Sequence, residues 1–132
     1  MKVVFLLLLF FIVGAVAKAQ SLDCNAIYTG KFKTIVVSPD GVKMTTIIYR
    51  QKDKQVEENL TTGLKMEFDI TWTSDCSYEL SKPRFLKGAL PGVSRDHILY
   101  VKIISIEGNK YKAEVSANFA EEKRVYEIAI LN

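Results

Sequence analysis

Few residues in this 132-residue chain have the type and spacing to do chemistry. The single histidine, His97, directly follows Asp96. An Asp-His neighbour pair along the chain does not make a catalytic dyad in space, and neither G-x-S-x-G nor H-E-x-x-H accompanies it. Glu57 and Glu58 are adjacent, so on a strand they point to opposite faces and cannot share one proton. There is no phosphate-cradling glycine loop, and the two cysteines, Cys24 and Cys76, form no C-x-x-C. With one histidine in the chain, neither a metal site nor a redox pair is expected, and no cofactor is implied. The expectation is a protein that is not an enzyme.

Groups suited to binding are easier to find. Arg124 and Tyr126 are two residues apart and share a strand face with Ile128 and Ile130, so they are expected to point inward. An arginine in an apolar lumen needs an anionic partner, and beside a tyrosine hydroxyl it would hold an acid headgroup. A hairpin centred on Lys52–Asp53 sets Arg50 opposite Gln55 and Ile48 opposite Glu57. Arg50, Gln55 and Glu57 then lie on one face as a salt-bridged group or a polar ligand contact. The segment Pro83–Asp96 reads as a long loop, with Arg84, Lys87 and Arg95 among Phe85, Leu86 and Leu90.

Strands must position these groups. "LKMEFDITWT" alternates strictly: Leu64, Met66, Phe68, Ile70 and Trp72 face one way, and charged or hydroxyl residues face the other. "TGKFKTIVV" ends at the turn signal "SPDG", and "VKMTTIIYRQ" follows it. "QVEENL", "SYELSK", "HILYVKIISI", "YKAEVSANF" and "RVYEIAIL" supply five more strands. "EGNK" reads as a hairpin turn, and "AEEK" as the last turn. Eight consecutive strands with short connections predict an all-β fold, an eight-stranded antiparallel up-and-down meander. Closure into a lipocalin-like barrel removes the exposed edges, with an open curved sheet or small sandwich as the alternative.

The first residues, "MKVVFLLLLFFIVGAVAKAQ", carry one early lysine, an apolar run from Val3 to Ala17, and an A-x-A exit at Ala17 and Ala19. This is the layout of a secretory signal peptide, expected at 1–19 as a helix, with one β-domain over 20–132. Cleavage removes Lys2 and Lys18 and lowers the formal charge from +3 to +1, and it leaves no membrane span. The remaining charges are interspersed, which argues against a nucleic-acid surface. A secreted or periplasmic chain with two cysteines is expected to join Cys24 to Cys76. In a meander both lie at one end, since Cys24 precedes the first strand and Cys76 sits in the turn after the fourth. Asn59-Leu60-Thr61 is an acceptor for N-glycosylation if the exporting cell is eukaryotic.

Three resemblances attach to these residues. Gly30-x-Phe32 resembles the G-x-W opening of lipocalin-type barrels, with Phe in place of Trp. "RVYE" (Arg124–Glu127) resembles the R-x-Y segment of fatty-acid-binding proteins, which implies that Arg124 and Tyr126 would hold a ligand carboxylate. The chain departs from that family in lacking a helical lid and in carrying an export signal. The wider layout is similar to small secreted bacterial proteins: an early cysteine, "GKF", a strand ending in Arg, "Q-x-E", then "W-x-S-D-C-x-Y". That likeness brings no activity with it.

The expected function is binding of a small amphiphilic or apolar, lipid-like ligand inside the barrel. Arg124, Tyr126 and Arg50 are its expected polar contacts, and Trp72, Phe68 and Phe119 its apolar ones. The alternative is a filled barrel that contacts an envelope or extracellular protein. The inward list of Phe32, Met66, Phe68, Trp72, Tyr78, Tyr111, Phe119 and Tyr126 is bulky enough to occupy the lumen.

Overall fold

The computed structural model describes residues 22–131. The expected signal segment at 1–19 lies outside them. A short 3-10 turn, Asn25–Ile27, precedes β1 (Gly30–Val37), β2 (Lys43–Arg50), β3 (Lys54–Asn59) and β4 (Lys65–Ser74). The second half holds β5 (Ser77–Lys87), β6 (Leu99–Glu107), β7 (Lys110–Ala117) and β8 (Ala120–Leu131). Every sequential pair is antiparallel, and β8 returns to β1, so the sheet closes as an up-and-down barrel.

Alternation decides what faces inward. Phe32, Ile48, Phe68, Ile70, Tyr78, Leu80, Val101, Ile103, Tyr111, Ala113 and Ile128 form one buried cluster with Cys24 and Ile27. The outer face of β4 is tied by charge: Arg84 donates to Glu67 and Asp69, and Lys54 reaches Asp69 at 2.6 Å. These two cations hold the Asp69 carboxyl below its ordinary range.

One end of the barrel is plugged. The Cys24–Cys76 disulfide, with Cα atoms 5.5 Å apart, pins the N-terminal segment against the β4–β5 turn. Tyr28 donates its hydroxyl to the Asp75 carbonyl and meets Trp72 edge-on at 4.4 Å. Ile27 is fully buried as the stopper. Gly30 enters β1 at φ +133°, a conformation that side chains other than glycine's hydrogen rarely allow.

Two boundaries differ from the sequence expectation. β5 runs on through Pro83 to Lys87, so the long connection begins only at Gly88. The β5–β6 ladder extends from Ser77↔Lys102 to Leu80↔Leu99. Beyond it β5 has β4 alone as a partner, and an edge without a ladder tolerates the missing N–H of Pro83. Lys82, at φ 50°, sits where the β4–β5 register shifts. The last turn is Asn118–Phe119 rather than "AEEK", which belongs to β8. Those residues are solvated on both faces, and so show no alternation in the sequence.

Candidate functional site

The lumen has two storeys. The lower is a polar cluster built around Arg50, which is 3% exposed. Its Nε donates to Gln55 Oε1 at 2.8 Å and its NH1 to the Ile27 carbonyl at 2.7 Å. NH2 donates to the hydroxyls of Tyr78 at 2.8 Å and Tyr111 at 3.1 Å. The guanidinium also lies 4.4 Å from the Phe32 ring centre and 4.8 Å from that of Tyr78. Such stacking suits arginine better than lysine. The register explains the meeting, since Arg50 faces both Gly30 on β1 and Gln55 on β3. Burial pushes the phenol pKa values of Tyr78 and Tyr111 upward, with the Arg50 charge opposing it.

Gln55 passes the arrangement upward. Its Nε2 donates to Glu57 Oε1 at 3.1 Å, so Arg50 and Glu57 are linked through an amide rather than by direct contact. Burial raises the Glu57 carboxyl above its ordinary value, opposed by the Gln55 hydrogen bond and the Arg50 charge.

Above this layer lies a cavity of about 240 Å³. Ile48, Leu80, Leu99, Val101, Val115 and Ile128 supply its apolar wall. Thr34, Thr46, Gln55, Glu57, Tyr78 and Tyr126 supply its polar groups. The polar wall is continuous across three strands. Thr34 pairs with Thr46, Ile48 pairs with Glu57, and Thr46 is therefore the diagonal neighbour of Glu57 on the inner face.

The residues singled out in the sequence are only partly gathered here. Tyr126 lines the cavity, and Arg50 anchors its floor from beneath. Phe68 is buried in the core, and Trp72 packs at the plugged end against Tyr28 and Tyr78. Arg124, expected to point inward, instead stands at the rim with its side chain 64% exposed, and donates to Glu122 at 3.0 Å. Phe119, expected within the apolar lining, lies in the β7–β8 turn, exposed and stacked on His97 at 4.0 Å. Period-two alternation carried both residues inward, but it has no meaning once a strand overruns the rim or the chain turns. His97 Nδ1 accepts from the Ser94 amide.

The sequence does not single out Thr34, Thr46 and Tyr78 as site residues, and it offers Glu57 only in a group with Arg50 and Gln55, as a salt bridge or a polar ligand contact. Hydroxyls on an inner face read as ordinary strand residues. The signal that was present is the quoted "Q-x-E" facing a strand that ends in Arg. Phe32, Arg50, Gln55 and Tyr78 of that layout converge in the lower lumen, Glu57 stands above them through Gln55, and Trp72 and the disulfide lie at the plug.

Comparison with family models, with curated proteins and with solved structures finds no match. The lumen is therefore read from its own chemistry. The disulfide fits an oxidising compartment, and no helix among the described residues is long and apolar enough to cross a membrane.

Proposed function

We propose that this chain is an exported, non-catalytic binding protein that holds one small, largely apolar molecule in the upper lumen of its barrel. The observation that carries this reading is the cavity of about 240 Å³ between a rigid polar floor and an apolar wall. Binding pockets characteristically join many apolar residues to a few placed polar groups. The volume lies below the roughly 300–1,000 Å³ of pockets for drug-sized ligands. The occupant is accordingly a short molecule rather than a long acyl chain.

Native mass spectrometry of the exported protein, with extraction and identification of the bound species, tests this directly. A stoichiometric small molecule that is lost in Val115→Trp, where the added ring fills the cavity, is the expected result. An empty wild type, with no thermal shift from short alcohols, amines or acids, would overturn it.

A second reading rests on the rim. Val37 at the end of β1, and Val42, Leu60, Leu90 and Phe119 on the connections, are exposed at the end opposite the disulfide. Apolar residues placed together at one end suit contact with a second protein. Cross-linking at the rim in the native extract, set beside an empty lumen, would favour that reading.

A further inference from the structure

From the unpartnered face of Glu57 we infer that the lumen selects a short apolar molecule with a cationic amine head, and disfavours the carboxylic acid of the same chain. The inference rests on the binding reading above and names its ligand class.

Among the described residues, the only acidic side chain lining the cavity is Glu57. One of its oxygens, Oε1, accepts from Gln55, while Oε2 has no hydrogen-bond partner among the described residues. No buried side-chain oxygen or nitrogen closed off from solvent lacks a partner among those residues. Glu57 Oε2 is thus open to the cavity. One nearby hydroxyl favours accepting too. Thr34 spends its proton on the Glu127 carbonyl, which leaves its lone pairs for the lumen. Thr46 sits diagonally beside Glu57 on the same wall. An ammonium brings three donors and no acceptor, which matches the open Glu57 oxygen and the Thr34 lone pairs.

Among the described residues, no cation within the lumen is free to meet an acid. Arg50 is held by Gln55, Ile27, Tyr78 and Tyr111 below the cavity and does not line it. Arg124 is at the rim, engaged by Glu122. A carboxylate entering the lumen would meet Glu57 with no counter-charge, and burying an unpaired anion is costly. An ammonium would be paired on arrival, and charge-assisted hydrogen bonds are the strong ones.

The test is titration of the oxidised, full mature protein with hexylamine, hexanol and hexanoate, followed by NMR shifts of the cavity-lining residues. Hexylamine should bind about tenfold or more tightly than hexanol, the equivalent of one charged hydrogen bond, and hexanoate should bind weakest. Glu57→Gln should abolish the amine's advantage over hexanol. Hexanoate binding as tightly as hexylamine, or an amine preference that survives in Glu57→Gln, would overturn the ligand class while leaving the pocket standing. If none of the three binds, the pocket reading fails and this inference with it. Comparing the three ligands on the wild-type chain needs no variant to fold.

Discussion

Arg50→Met asks how much of the barrel's stability depends on its buried cation. Methionine keeps the apolar stem, ends about where Nε stands, and leaves Gln55 Oε1, the Ile27 carbonyl and two tyrosine hydroxyls without their donor. Hydrogen bonds to charged groups are worth about 1.5–3 kcal/mol each, so a simple sum would overshoot badly. Burying the guanidinium also costs several kcal/mol, which is recovered only while its partners are in place. Removing one member of a buried charged group costs about 3–5 kcal/mol, and a loss of about 4 kcal/mol is expected here. Glu57, already destabilised by burial, loses its compensating charge as well. At a urea m-value of about 2 kcal/mol/M, the midpoint should fall by about 2 M. Equilibrium unfolding of the oxidised protein, followed by Trp72 fluorescence, reads this shift. Tyr78→Phe removes one of the four bonds and should cost about 1 kcal/mol, much of it contained within the Arg50→Met effect. A midpoint within about 0.3 M of the wild type for Arg50→Met would refute the central role given to this cluster.

Two further outcomes follow. Replacing Cys24 and Cys76 together by serine removes a cross-link spanning 52 residues and should lower stability by about 4 kcal/mol on the chain-entropy account, read by urea unfolding against the oxidised wild type. The Glu57 carboxyl is raised in the folded state, so its contribution is most favourable below the unfolded value near pH ~4.3 and declines as pH rises through the folded one. Glu57→Gln should therefore gain stability over the wild type progressively as pH rises above about 4, and a difference that stays flat with pH would contradict the raised carboxyl.

Local pattern determined much of this protein. Strict alternation in Leu64–Thr73 settles which face of β4 is buried, because neighbouring side chains on a strand must diverge. Short turns between successive strands demand antiparallel neighbours, and eight of them with two exposed edges favour closure. Two cysteines in an exported chain imply the Cys24–Cys76 bridge, the parity of the meander agrees with it, and a two-residue turn sets Arg50 against Gln55. Only the tertiary structure decided where those patterns stop. Arg124 keeps inward parity opposite Val115, yet stands outside because β8 overruns the rim. Phe119 leaves the strand register one residue after Asn118 begins the turn. The division of the lumen into a filled lower storey and an open upper one depends on how side-chain volumes meet across strands distant in sequence. Tyr78 and Tyr111 reach Arg50 from 28 and 61 residues away, contacts that no local spacing encodes. The exposed oxygen of Glu57 is the remainder of that packing: Gln55 takes one side of the carboxylate, and the cavity receives the other.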